Sequence, residues 1–100
     1  MRIMARNKLI AFWSKHPTTE ASLRHWHDVA GAAGWQSSLD VVADFSKAKS
    51  LNGERVRFEV AGGDYRMVVA FDCKRLIAFI KFVGTHAEYD KIDALTVSLF

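Results

Sequence analysis

Alternating apolar residues from Arg55 to Phe71, interrupted by two adjacent glycines, constrain the fold more than any other feature of this chain. Side chains in a β-strand repeat every two residues, so this alternation predicts two strands that each have one apolar face. A type I′ turn at Gly62-Gly63 would join the strands as a hairpin, because both central positions of that turn need positive φ. The predicted register pairs residue 58 with 67, 59 with 66 and 60 with 65.

A third strand is predicted after a tight turn over Asp72 to Arg75, so that residue 66 meets 81 and residue 68 meets 79. Arg66 would then face Lys81, and two cations opposite each other on a sheet repel by roughly a few tenths of a kcal/mol. A phosphate between them would remove that cost. The alternative is that Glu59 neutralises Arg66 as a cross-strand ion pair in the free protein.

This register predicts two different faces for the sheet. One face is apolar and consists of Val56, Phe58, Val60, Tyr65, Met67, Val69, Phe71, Leu76, Ala78, Ile80 and Phe82. The opposite face, called the open face below, carries Arg55, Arg57, Glu59, Arg66 and Lys81.

The first 45 residues show helical spacing, apart from a short strand predicted at residues 1–4. Apolar residues from Leu9 to Trp13 follow helical intervals until Pro17 ends the first helix. A second helix is predicted from a cap at residue 18 or 19 to Gly34, and a third begins at residue 37 or 38. The basic residues 46–54 are predicted to form a connecting loop. We therefore expect an α+β fold in which N-terminal helices cover one face of a mainly antiparallel sheet and leave a basic concave face open.

Charge is distributed unevenly along the chain. Its 100 residues predict one domain over residues 1–100, with a net charge of +3. Residues 1–19 contain four cations and no acid, residues 46–81 have a net charge of +4, and residues 20–45 have a net charge of −3. Such segregation suits a polyanion on one surface. The single cysteine, Cys73, excludes an internal disulfide and fits a reducing compartment, so a cytoplasmic location is expected. No membrane span is predicted, since no window approaches the roughly 18 apolar residues that one needs.

Candidate catalytic side chains follow the last predicted strand. Thr85 and Glu88 fit a capping box, which predicts a short helix that begins at His86. Asp90 is four residues on and can orient the His86 ring, while Tyr89 could donate a hydrogen bond or stack on a base. An imidazole that can transfer a proton, next to cations that can hold phosphate, is typical of the active site of a metal-independent ribonuclease. The alternative is that His86 only completes the cap and Tyr89 packs at the sheet edge.

No metal site and no cofactor are predicted. The sequence has no His-Glu-x-x-His or Cys-x-x-Cys spacing, and its paired glycines do not open a helix as a phosphate loop would. Trp13, Trp26 and Trp35 are predicted to pack in the core.

Three stretches resemble the HigB-type toxins of bacterial toxin–antitoxin pairs, a branch of the RelE-like messenger-RNA interferases. They are MRIMAR at residues 1–6, VAGGDYRMVV at residues 60–69 and GTHAEYDKI at residues 84–92, of which the last is the most specific. The resemblance implies a RelE-like fold, cleavage of messenger RNA on the ribosome, inhibition of translation, and a cognate HigA-like helix-turn-helix antitoxin as partner. With the charge pattern, it implies catalytic roles for Arg66, Lys81, His86 and Tyr89, and RNA binding by Arg55, Arg57, Lys47 and Lys49.

Other functions also fit the sequence. The same cations would serve a non-catalytic regulator that only binds DNA or RNA, since binding needs no proton carrier. A protein-interaction module could instead dock a partner on its acidic helical surface. Within the enzyme hypothesis, Glu59 would have to turn away from phosphate or act as the base itself.

Overall fold

One mixed sheet with helices on one side organises residues 1–99, the part of the chain that the computed structural model describes. Its strands lie in the order β1-β5-β4-β3-β2, and only the β1–β5 pairing is parallel. This confirms the predicted α+β class with a mainly antiparallel sheet. The strands are β1 Arg2–Met4, β2 Ala48–Ser50, β3 Arg55–Val60, β4 Tyr65–Asp72 and β5 Ile77–Thr85, and the helices are α1 Arg6–Lys15, α2 Glu20–Ala32, α3 Ser38–Asp44 and α4 His86–Tyr89.

The helix boundaries follow local chemistry. α1 ends before Pro17, which begins a 3-10 turn that leads into α2. The expected cap of α2 is absent, because the Thr19 hydroxyl donates to the carbonyl of His16 at 2.7 Å instead of accepting from the helix. α3 begins as predicted, with the Ser37 hydroxyl accepting from the Asp40 N–H. Within residues 1–99, no helix has the length and apolarity needed to cross a membrane.

The core lies between the helices and the apolar face of β3, β4 and β5. Leu9 and Leu23 are fully buried on the helix side, and Val56 and Met67 are fully buried on the sheet side. All three tryptophans are buried as predicted, and Trp26 packs edge-on against a sheet phenylalanine. Burying such side chains away from water is the main favourable contribution to folding.

The β3–β4 hairpin has the predicted register. Residues 58 and 67, 59 and 66, and 60 and 65 are partners. The connection is a four-residue loop rather than the expected two-residue turn, and Ala61, Gly62 and Gly63 all have positive φ. Gly63 has φ +100°, which favours glycine, and a Cβ there would lie 2.8 Å from a carboxylate oxygen of Glu59, whose flexible side chain would have to move.

The β4–β5 register was predicted wrongly. Arg66 is the partner of Gly84 and not of Lys81, and Val68 is the partner of Phe82. The loop before β5 begins one residue later than expected, so Asp72 pairs with Ile77. A β-bulge at Lys81 then adds one more residue to β5. The register at Arg66 is consequently displaced by three residues.

The bulge also exchanges two side chains between the faces of the sheet. Val83, not Phe82, joins the helix-side core, whereas Phe82 lies on the open face with Val68. Leu76, expected on the apolar face, lies in the loop before β5 and is exposed. A single inserted residue reverses the alternation beyond it, because side chains in a strand repeat every two residues.

Residues 48–50 form an edge strand where a loop was predicted. Lys49 of β2 is the partner of Arg57, and the Lys47 carbonyl accepts from the N–H of Glu59 at 3.1 Å. Lys47 and Lys49 therefore extend the open face beyond β3.

The residues after α4 turn back onto the open face. Two carbonyls of this 90–99 segment, those of Ala94 and Val97, accept from Arg55 in β3, and the N–H of Leu99 donates to the carbonyl of Lys81 in β5. The segment thus spans β4, which lies between these two anchors. Part of the face expected to be open is covered by the chain itself.

Candidate functional site

The predicted capping box starts α4 directly at the end of β5. The Thr85 hydroxyl accepts from the N–H of Glu88 at 3.1 Å, and the Glu88 carboxylate accepts from the N–H of Thr85 at 2.8 Å. Hydrogen bonding to the Thr85 backbone, and then to its side chain, lowers the pKa of the Glu88 carboxyl. These two residues are structural, and they fix where His86 leaves the sheet.

His86 and Asp90 form the pair that the four-residue spacing predicted. Nδ1 of His86 lies 3.0 Å from Oδ2 of Asp90, and both side chains are more than half exposed, at 52% and 60%. The backbone N–H of His86 donates to the Asp64 carbonyl at 3.0 Å, which attaches α4 to the β3–β4 loop. A carboxylate on Nδ1 fixes the ring orientation and leaves Nε2 to exchange a proton with a bound substrate.

Tyr89 rests on the covered half of the open face. Its ring lies 6.2 Å from that of Phe82, centroid to centroid, in a tilted arrangement. Phe82 itself folds over Gly84, where a Cβ would approach the ring carbon Cζ of Phe82 to 2.6 Å. Neither Phe82 nor Gly84 was predicted to support the site. The signal was a glycine inside a strand, which marks a place where another group approaches the backbone closely.

Arg66 lies at the same end of the sheet as α4, but it is not an open cation. The residue is only 9% exposed, and its Nη1 donates to the carbonyls of Gly63 and Tyr65. The Lys81 ammonium lies 5.4 Å from the centroid of the Phe79 ring, which is farther from Arg66 along β5. The expected clamp of Arg66 and Lys81 across one rung is therefore absent, because the later start of β5 and the bulge together displace the register by three residues.

The exposed cations lie on β2 and β3 instead. Lys49 and Arg57 are direct cross-strand partners, which is the unfavourable like-charge arrangement expected for the other pair. Glu59 offsets part of this charge through an ion pair with Arg57 at 3.5 Å, rather than with Arg66, its partner in the ladder. Nε of Arg57 is buried and has no hydrogen-bond partner within residues 1–99. Two neighbouring cations that share a single carboxylate can accommodate an anion.

Four residues were predicted to bind RNA, and the environment of Arg55 differs from that of the other three. Arg55 shares the open face with Arg57 but uses Nη1 to hold two carbonyls of the 90–99 segment, at 3.0 and 2.8 Å. Lys47, Lys49 and Arg57 lie together on the half of the open face that β2 and β3 form.

Comparison with known protein families identifies the chain. The model of the HigB toxin family, described as the RelE-like toxic component of a toxin–antitoxin system, matches residues 19–92. The match covers 74 of the 100 residues, from the start of α2 to the end of α4, so the chain belongs to this family. A comparison with curated proteins gave no match.

Proposed function

We propose that this HigB-family toxin is a metal-independent endoribonuclease that cleaves messenger RNA, on the ribosome, and thereby inhibits translation. The observation that carries the proposal is the exposed His86–Asp90 pair, held at 3.0 Å at the end of a sheet whose open face bears the Lys49–Arg57 rung of two cations. Family membership supports the toxin role, and it implies an antitoxin partner. A HigA-like helix-turn-helix protein is the partner we expect.

The reaction needs only groups that the protein carries. The 2′-hydroxyl of the RNA attacks the adjacent phosphorus, a 2′,3′-cyclic phosphate forms, and the 5′-oxygen of the next nucleotide leaves with a proton. His86 takes the proton from the 2′-hydroxyl or supplies the one that the leaving oxygen needs, and Asp90 orients the ring. Tyr89 positions the nucleotide by stacking or hydrogen bonding.

Cations supply the remaining stabilisation. Arg66 uses Nη1 within the protein, and we assign to its remaining guanidinium N–H groups the stabilisation of the negative charge that develops on the phosphorane. Lys81 lies farther along β5 and adds to the positive potential around the phosphorane. Lys49 and Arg57 hold flanking phosphates, with Lys47 beside them.

A non-catalytic role is the second candidate. The Lys49–Arg57 rung would bind an RNA or DNA backbone whether or not His86 transfers a proton. The two functions differ in one measurable respect, since only an enzyme depends on the imidazole after its substrate is bound.

Replacing His86 by Gln separates these functions. Because the cations supply most of the affinity, binding should stay unchanged, while cleavage should slow by roughly 10²-fold or more, the usual effect of a general acid–base group. The measurement is single-turnover cleavage on programmed ribosomes, beside RNA affinity at fixed salt. His25→Gln, an exposed position on α2, is the matched control and should cleave at the wild-type rate. Unchanged cleavage by His86→Gln would remove His86 from the proton transfer, and a wild-type protein that binds but never cleaves would establish the non-catalytic role.

A further inference from the structure

Arg55 makes a contact that its position in the sequence does not suggest. Strand alternation places it on the open face, yet Nη1 donates to the carbonyls of Ala94 and Val97, at 3.0 and 2.8 Å. These carbonyls belong to a single helical turn, in which the N–H of Val97 donates to the Asp93 carbonyl at 2.8 Å. A guanidinium at the carboxyl end of such a turn satisfies carbonyls that have no partner within it, and it complements their partial negative charge.

A second anchor lies on the other side of β4. The N–H of Leu99 donates at 2.9 Å to the carbonyl of Lys81, the bulged residue of β5. The 90–99 segment is therefore attached both to β3 and to β5, and two attachments restrict it far more than one would.

The segment accounts for an otherwise unexplained burial. Val68 is completely buried and Phe82 is 3% exposed, although both lie on the face turned away from α1, α2 and α3. Tyr89 covers Phe82 from one side. The 90–99 segment begins at Asp90, the residue that orients His86, so the cover over this apolar patch is continuous with the candidate site.

We propose that Arg55 is a positioning residue of this site: by holding the 90–99 segment against the sheet, it keeps Asp90 and Tyr89 in place beside His86. This inference rests on the ribonuclease function proposed above. It replaces the sequence-based expectation that Arg55 contacts RNA, a role that Lys49 and Arg57 fill without it. Replacing Arg55 should then change the rate at which bound RNA is cleaved, and it should leave the affinity for RNA unchanged.

Arg55→Met tests this directly, since it keeps the aliphatic stem and removes the donor. Amide hydrogen exchange of Val97 and Leu99 should accelerate by about tenfold or more, as expected when a charged hydrogen bond to two carbonyls is lost, while β4 amides keep their protection. Single-turnover cleavage at saturating RNA should slow by a similar factor, with the half-saturating RNA concentration unchanged. Arg55→Lys can still donate to one carbonyl, so its exchange and cleavage rates should lie between those of the wild type and those of Arg55→Met.

Two further variants complete the experiment. Arg75→Met removes an arginine whose side chain is 79% exposed in the loop before β5, and it should leave both readouts at wild-type values. Leu99→Pro removes the second anchor at an exposed residue. It leaves no amide N–H at residue 99, so its readouts are faster exchange of the Val97 amide and slower cleavage, both as in Arg55→Met, and they test the segment even if Arg55→Met folds poorly.

The outcomes distinguish this inference from the proposed function. Unchanged exchange of Val97 in Arg55→Met would overturn the positioning role, and so would a loss of RNA affinity with a normal cleavage rate, which would make Arg55 an RNA contact. If the wild-type protein cleaves no RNA, the proposed function is wrong, and the role of Arg55 in catalysis is wrong with it. Hydrogen exchange would still show whether Arg55 holds the 90–99 segment against the sheet.

Discussion

The two halves of the open face have opposite characters. On β2 and β3, the side chains are charged and partly exposed, and they include Lys49, Arg57 and Glu59. On β4 and β5, the middle of the face is apolar and covered, with Val68 and Phe82 almost inaccessible to solvent, and Arg66 beside them is only 9% exposed. The same sheet surface thus changes from a charged, partly exposed region on β2 and β3 to a small apolar cluster on β4 and β5.

This difference indicates that the two halves of the open face have different roles in the proposed ribonuclease. Charged side chains that face solvent can exchange water for phosphate at little cost to folding. An apolar patch under Tyr89 and the 90–99 segment cannot bind RNA itself, but it can hold the adjacent His86–Asp90 pair in one geometry. We therefore expect substitutions in the first half to change affinity and substitutions in the second to change stability and rate.

Gly84→Ala should have the largest effect, because it acts on the covered half. The new Cβ would lie 2.6 Å from Cζ of Phe82 and 3.2 Å from a carboxylate oxygen of Glu88. Overpacking of this kind costs about 1–3 kcal/mol, which chemical denaturation would measure as a lower free energy of unfolding. Gly31→Ala in α2 is the matched control: nothing lies within 4 Å of its Cβ, so stability should stay equal or rise. Equal stability of Gly84→Ala and wild type would mean that the Phe82 ring is not tightly placed.

Arg57→Met should have an intermediate effect, confined to binding. Removing one phosphate contact should weaken RNA affinity by about tenfold and reduce the slope of log affinity against log salt by about one. Fluorescence anisotropy with a labelled RNA, repeated at several salt concentrations, measures both quantities. Lys74→Met, an exposed cation in the loop after β4, should change neither. A normal salt slope in Arg57→Met would exclude this residue from the RNA surface.

Thr85→Ala should have the smallest effect, and this effect should depend on pH. Loss of the cap should cost about 1 kcal/mol of stability near neutral pH. Because hydrogen bonding to Thr85 lowers the pKa of Glu88 in the folded state, its contribution is present above the unfolded pKa, roughly 4, and is lost as pH falls through the folded value. The Thr85 backbone N–H, the larger cause of that shift, is kept in Thr85→Ala, and only the side-chain part is lost. The difference in Tm between Thr85→Ala and wild type should therefore shrink slightly between pH 7 and pH 3, and that between Glu88→Gln and wild type should shrink more. Glu88→Gln, which cannot ionise, is the control, and a constant difference across this pH range would show that the charge of Glu88 does not matter.

The sequence alone determined the parts of this protein that depend on short spacings. The 59–66 rung follows from alternation on both sides of a glycine loop, and the capping box and the His86–Asp90 contact follow from separations of three and four residues on a helix. Each of these features is decided by backbone geometry within a few residues, so a pattern of residue types is enough to predict it. The helix-side core was predictable for the same reason up to β4.

Tertiary structure decided how the distant pieces meet. The bulge at Lys81, the edge strand that brings Lys49 opposite Arg57, and the return of residues 90–99 to Arg55 all lack a local pattern. Alternation at residues 77–82 fits both faces of the sheet, because apolar side chains occupy nearly every position there. Only packing against β4, with Val68 and Phe82 buried as partners on the open face, selects one register, since the free energy of that burial depends on residues from different strands.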